Sequence, residues 1–265
     1  MLPIALAALV AVAALFSVAV TPATARGAPH VVGHRGAPAA LPENTMAGFT
    51  YAFDRGADAV ELDVRITADD VAVVAHDAVL PRRCTGPRGL SRRIAQISFE
   101  QLQQFDCGAA DPAFPKQRAA PGARVPQLVD VLALARDRQK LVLVELKSDD
   151  VPVAPKVARI VAHAVEEARA QRCVVIESFD LDLVRAISVA RPDLRRGLLV
   201  GDDVVDAGAR AEALGGALLS PGAARTTRAL VDDAHARTIA VAPWTVNDDA
   251  TWDRLVLWRA RVDDL

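Results

Sequence analysis

Charge imbalance is nearly absent from this sequence: 31 Lys and Arg stand against 33 Asp and Glu over 265 residues, a formal net charge of −2. With neither a basic stripe nor an acidic tail, nucleic acid is not expected as a partner. Cysteine is scarce, and the three present, Cys84, Cys107 and Cys173, allow at most one intramolecular disulfide. Cys84 and Cys107 are the expected pair because they bracket a segment that departs from the surrounding pattern, while Cys173 begins an apolar run as a buried, inert thiol would. No Gly-x-Ser-x-Gly elbow occurs, no Gly-x-x-x-x-Gly-Lys loop, and no cysteine beside a strand end where a nucleophile could work. Serine-hydrolase, Walker-type nucleotide and cysteine-nucleophile chemistries are therefore disfavoured. Internal repeats and low-complexity linkers are missing as well.

What the chain has in abundance begins at its N-terminus. Residues 1–20 are an almost unbroken Ala/Val/Leu run, followed by Thr21-Pro22-Ala23-Thr24-Ala25 and a polar turn at Arg26. An apolar stretch ending in a small-x-small site is expected to act as a signal peptide cleaved after Ala25, giving an exported protein, although its first residues lack Lys and Arg. An uncleaved anchor is the alternative, and it too leaves the remainder outside the cytoplasm. In the cleaved form no stable membrane insertion is expected. Residues 26–265 suffice for one large core and a single α/β domain.

From His30 onward, β-branched runs alternate with Ala/Arg-rich stretches of helical period, the pattern of βα units around a parallel sheet. Strands are expected at 31–33, 59–64, 141–146, 174–178, 196–200, 217–220 and 239–242, with a hairpin addition at 71–75. A helix over 46–55 places Met46, Phe49 and Phe53 on one face, with Asn44 or Thr45 as its cap. Residues 84–125, rich in Pro, Gly, Arg and Gln, form an insertion over one mouth of the sheet. The fold class is thus α/β, a TIM (β/α)8-type barrel. Seven barrel strands are counted before Val262-Asp263-Asp264-Leu265, so the closing eighth is expected to be lacking.

Several polar clusters fall where these strands end, the end at which barrel enzymes present reactive groups. His34-Arg35-Gly36 combines a proton carrier with a planar cation suited to phosphate oxygens; equally, Gly36 could simply make a turn. Glu61 and Asp63 share one face of a strand, where a divalent metal or a pair of salt bridges to helix arginines would offset their charge. His76 follows the hairpin run as either proton shuttle or cap. Glu145 and Lys147 have the same period-two spacing and could complete a metal site and hold an anion, or pair with each other. Ser178 and Phe179 end the fourth strand and Trp244 the seventh, offering an aromatic wall for a small polyol or ordinary core packing.

The motifs occur in a telling order: His34-Arg35-Gly36, Pro42-Glu43-Asn44-Thr45, Gly56-Ala57-Asp58-Ala59-Val60-Glu61-Leu62-Asp63-Val64, Thr67, Val74-Ala75-His76-Asp77, Glu145-Leu146-Lys147, Ser178-Phe179-Asp180 and Trp244-Thr245-Val246-Asn247. Taken together they resemble the glycerophosphodiester phosphodiesterase family over nearly all of residues 26–265. The resemblance implies one divalent cation, Ca²⁺ or Mg²⁺, held by Glu61, Asp63 and Glu145, with His34 and His76 as general acid and base. It further implies Arg35 and Lys147 on the phosphate, Ser178, Phe179 and Trp244 around the glycerol, and Glu43 behind the site orienting Arg35 or a metal ligand. The implied reaction is metal-dependent hydrolysis of a small glycerophosphodiester, such as glycerophosphocholine, to sn-glycerol 3-phosphate and an alcohol. Two departures stand out beside the missing strand: Ala68-Asp69-Asp70 replaces an Asp-Gly turn, and Glu177 stands where Gln is usual. A degenerate relative that binds phosphodiesters without turnover, and a lysophospholipase D-like enzyme, are the rival readings.

Overall fold

In the structure, a computed structural model, residues 30–149 and 152–258 are described; the expected signal peptide and the 262–265 segment lie outside them. Seven parallel strands run in chain order, β1 (Val32–Gly33), β2 (Ala59–Ile66), β4 (Leu141–Leu146), β5 (Val174–Ser178), β6 (Arg195–Val200), β7 (Leu218–Pro221) and β8 (Ala240–Val241). The short β3 (Ala72–Val74) pairs antiparallel with the far end of β2. Helices α1 (Met46–Asp54), α3 (Leu128–Asp137), α4 (Ala154–Glu167), α5 (Leu181–Ala190), α6 (Ala207–Ala213), α7 (Arg228–Ala236) and α8 (Asp249–Leu257) alternate with the strands, and α2 (Phe99–Leu102) is a single turn. Among the described residues no ladder joins β8 back to β1, and these two strands stand at the ends of the sheet order. None of the described helices is long and apolar enough to cross a membrane.

Alternation on β2 builds the core and the site together. Val60, Leu62 and Val64 turn outward into a cluster shared with Phe49 and Phe53 of α1, Leu128 and Leu132 of α3, and Val161 and Val165 of α4. Glu61, Asp63 and Arg65 therefore face the other way. The ladders align Asp63 with Glu145 and Glu145 with Glu177, which puts three acids in one row across β2, β4 and β5. Between strands, side-chain caps set several helix starts: Thr45 accepts from the Gly48 N–H, Thr227 from Leu230 and Asp248 from Thr251. The Ala68-Asp69-Asp70 turn works without glycine because Asp70 takes a φ of 65°, a conformation Asp tolerates.

The apolar residues that look scattered over 84–125 come together in a small core of their own. Leu80, Cys84, Ile94, Ile97, Leu102, Phe105, Cys107 and Val125 pack with Val73 and Ala75 beside β3. A Cys84–Cys107 disulfide ties this insertion together. Cys173, the free thiol, is half-buried just ahead of β5 with Sγ 3.2 Å from the Ala170 carbonyl oxygen, and burial raises its pKa.

Candidate active site

The turn leaving β1 is tight enough to dictate its residues. A Cβ on Gly33 would lie 2.5 Å from the Gly36 carbonyl oxygen, and Gly36 has a φ of 88°. Arg35 between them also takes positive φ, 51°, a costly state for a non-glycine residue that is held here by its neighbours. Its N–H donates to Glu61 Oε2 at 3.0 Å and its carbonyl accepts from Asn44 N at 3.0 Å. Since Thr45 caps α1, the Asn44 side chain is released from capping, and its Nδ2 donates to Asp63 Oδ2 at 2.9 Å.

Glu61, Asp63 and Glu145 each place a carboxylate oxygen within 4.8 Å of the others'. Positive charge reaches them from the turn after β1 and from the residue that follows β4 rather than from helix arginines. Lys147 Nζ lies 2.9 Å from Asp63 Oδ1 and 2.7 Å from Glu145 Oε1, and Arg35 Nε is 3.4 Å from Asp63 Oδ2. Burial would raise Asp63, yet Lys147, Arg35 and Asn44 together hold its carboxyl below the usual range. Compensation stops there. Withdrawal from water and then the charge on Asp63 push Glu61 well above the ordinary carboxylate value, and burial raises Glu145 against the pull of Lys147. Three hard oxygen donors with surplus negative charge fit a divalent cation such as Ca²⁺ or Mg²⁺.

The two histidines open onto the same cavity, of about 740 Å³, as Arg35, Glu61, Glu145 and Lys147. Asp63 lies beneath it, only 1% exposed. His34 Nε2 stands 3.9 Å from Glu61 Oε2, and burial followed by the Arg35 charge lowers its pKa to about 4, so the ring is neutral near neutral pH. His76 Nδ1 donates to Asp77 Oδ1 at 2.8 Å, which sets the ring's orientation. Phe179 and Trp244 meet edge to face with centroids 5.6 Å apart on the cavity wall, and Trp244 Nε1 donates to the Ser220 carbonyl oxygen at 2.9 Å. Glu43 accepts from Arg35 Nη1 at 3.1 Å through Oε2.

Ser178 requires a correction. It is fully buried, its hydroxyl donating to the Leu146 carbonyl oxygen at 2.7 Å and accepting from Asp180 N at 3.0 Å. It braces the ends of β4 and β5 instead of facing the cavity. Glu177, its neighbour, is fully buried and accepts from Ser220 Oγ at 2.6 Å, and burial pushes its carboxyl up to about 7. A protonated Glu177 is neutral, as a glutamine in its place would be.

Sequence reasoning missed Arg65. Buried at the end of β2, it donates from Nε and Nη2 to the His76 carbonyl oxygen at 3.1 and 2.7 Å, and its Nη1 lies 2.9 Å from Asp149 Oδ1. The available signal was its place on the period-two row of Glu61 and Asp63, which aims a third charged residue inward.

Comparison with known proteins gives a consistent answer. Residues 34–261 match the model described as the glycerophosphoryl diester phosphodiesterase family. A protein of Caldanaerobacter subterraneus subsp. tengcongensis named glycerophosphodiester phosphodiesterase is 31% identical over 235 residues, covering 89% of this chain and 92% of its own. Among solved structures, a candidate glycerophosphoryl diester phosphodiesterase from Silicibacter pomeroyi superposes with a TM-score of 0.81 at 30% identity, over 87% of each chain. An Oleispira antarctica phosphodiesterase in complex with the product sn-glycerol-3-phosphate shares the fold at a TM-score of 0.74 and 22% identity, over 87% of this chain and 90% of that one.

Proposed function

The chain belongs to the glycerophosphoryl diester phosphodiesterase family, and from that premise we propose that it hydrolyses small glycerophosphodiesters to sn-glycerol 3-phosphate and an alcohol at the cavity shared by His34 and His76. The observation that carries the reading is the crowding of Glu61, Asp63 and Glu145 at the cavity that those two imidazoles line, with two cations beside them. A divalent ion held by the three carboxylates would act as a Lewis acid toward the charge that builds on the phosphate oxygens.

The remaining work falls to the side chains of this chain. Arg35 offers a planar fork and Lys147 a point charge to the phosphate. His34, neutral because of burial and Arg35, accepts the proton of the glycerol hydroxyl that attacks phosphorus. His76, aligned through Nδ1 by Asp77 and through its carbonyl by Arg65, delivers a proton to the departing alcohol. Water then opens the cyclic glycerol phosphate by the same two groups in reverse. Phe179 and Trp244 form the apolar wall against which the glycerol carbons lie.

The test is release of choline from glycerophosphocholine by purified protein, with and without EDTA. Turnover that EDTA abolishes and Ca²⁺ or Mg²⁺ restores is expected; metal-independent turnover, or none, overturns the reading. The rival in which phosphodiester is bound but not cleaved is decided by the same assay. A lysophospholipase D-like activity has one observation in its favour, the apolar wall of Val31, Trp252, Leu255 and Val256 along the cavity, and lysophosphatidylcholine run beside glycerophosphocholine decides between them. Export belongs to the same proposal. The apolar 1–20 run supports it, and so does a disulfide of the kind that oxidising compartments maintain; N-terminal sequencing of protein recovered outside the cytoplasm should begin at Arg26.

A further inference from the structure

The insertion reaches the site through its own Asp111 and through Arg83, the arginine just ahead of Cys84. Arg83 Nη2 donates to Glu43 Oε1 at 2.9 Å, and Arg83 Nη1 donates to Asp111 Oδ2 at 3.1 Å. Glu43 uses its other oxygen for Arg35 Nη1, and Arg35 Nε stands over Asp63. The result is a row of alternating charge, Asp111, Arg83, Glu43, Arg35 and Asp63, that runs from the insertion to the floor of the cavity. Glu43 and Arg83 are each about 22% exposed at the side chain, so their pairing is partly shielded and counts for more than a pair standing in water.

Two consequences follow for Arg35. A carboxylate gripped at both oxygens is fixed in rotation, so Glu43 presents Oε2 to Arg35 in one orientation. Arg83 also takes a share of the Glu43 charge, which leaves more of the positive charge on Arg35 for an incoming anion. Arg83 is itself anchored by Asp111 and by its neighbour Cys84, which is bonded to Cys107. The insertion braces the same β1–α1 loop elsewhere, where Gln117 Nε2 donates to the Leu41 carbonyl oxygen at 3.3 Å and Arg118 N to that of Ala40 at 2.9 Å. Of these contacts, only Arg83 touches the loop's charged side chains.

We infer that Arg83 is a positioning residue for the phosphate-holding Arg35, acting through Glu43, and that the disulfide-tied insertion is in this way part of the substrate-anion site. This rests on the reading of Arg35 as a phosphate ligand. The experiment uses the full chain with Arg83→Met, Arg83→Lys, Glu43→Gln and the Arg83→Met/Glu43→Gln pair. Its readouts are kcat and KM for glycerophosphocholine, sn-glycerol 3-phosphate binding by calorimetry, and thermal melting. Arg83→Met is expected to raise KM and weaken sn-glycerol 3-phosphate binding by about tenfold, with kcat within about threefold and Arg83→Lys partly restoring both. In the Glu43→Gln background the Arg83→Met effect is expected to shrink, because both act along one route. An unchanged KM and product affinity in Arg83→Met, or additive effects in the pair, overturns the inference. Should Arg83→Met fail to fold, Asp111→Asn takes its place: a rise in KM supports the inference and no change overturns it. A wild-type protein that binds sn-glycerol 3-phosphate without turnover refutes the proposed reaction alone, with binding still deciding the part played by Arg83; absence of binding refutes both.

Discussion

Glu177 keeps a proton that an exposed glutamate would lose, and that difference is a statement about stability. Burial holds its carboxyl at about 7 against 4.5 for the unperturbed group. Between these values the folded state binds more protons than the unfolded one, so stability falls as pH rises through the interval and the loss is complete above it. Glu177→Gln, melted in EDTA, is expected to raise Tm at about pH 8, by a free energy on the order of 3 kcal/mol at most, and to leave it nearly unchanged at about pH 4.5. An equal rise at both pH values would show that the carboxyl is not the cause. His34→Ala, in contrast, acts on chemistry: kcat/KM is expected to fall by about 10²–10⁴ with little change in melting, because the ring, 35% exposed, lines the cavity rather than the apolar core. At this scale the sequence is informative where period and chemistry coincide. Glu61 with Asp63, and Glu145 with Lys147, are legible because strand alternation aims both members inward. Ser178 misleads, since its hydroxyl is consumed by a carbonyl on the adjacent strand, 32 residues earlier, which no local pattern shows. The choice between Asn44 and Thr45 is likewise made by tertiary contact: Asp63 claims one amide and leaves the cap to the other residue.

Strands and helices have their own limits of legibility. β4 and β5 follow the expected strands 141–146 and 174–178 residue for residue, because both are buried almost throughout and each opens on an apolar run before its glutamate. β1 and β8 are only two residues long, since a ladder needs a partner and each has one on a single side among the described residues. The insertion is harder to foresee: its core is assembled from turns and two single helical turns, Ile94–Gln96 and α2, without a period that a sequence pattern could reveal. Its stability therefore leans on Cys84–Cys107, which closes a separation of 23 residues. Replacing both cysteines by alanine is expected to cost about 3 kcal/mol by loop-closure entropy, read as a lower Tm in non-reducing buffer. Thr45→Ala tests a different element, removing the N-cap of α1 and the hydroxyl that donates to the Pro42 carbonyl oxygen at 2.7 Å. A loss of about 1 kcal/mol in denaturant unfolding is expected, and no loss would mean that the turn from Arg35 to Asn44 holds the helix start unaided.

Across the whole molecule the apolar layer between sheet and helices is divided, while on the inner face Leu143 and Val175 pack with Leu218 and Ala240. One large cluster joins α1, β2, β3, α3, β4, α4, β5 and α5, and a separate one joins β6, α6, β7, α7 and β8. The acids that could hold a cation all belong to β2 and β4, strands whose outward residues lie in the first cluster. A bound ion held by these acids would thus tie together two strands that already share a ladder and a core, with no ligand drawn from the strands of the second cluster. Saturation at about 100 times the dissociation constant adds about 2.7 kcal/mol to global stability, enough to raise Tm by several degrees in a chain of this size. Global unfolding does not say where the ion acts, but amide exchange does, because segments open with different free energies. On adding Ca²⁺ or Mg²⁺, exchange is expected to slow in β2 and β4 while β7 and β8 keep their rates wherever they exchange by local opening. Protection spread evenly over both clusters would mean that the two halves open as one unit, and slowing confined to β7 and β8 would place the cation elsewhere.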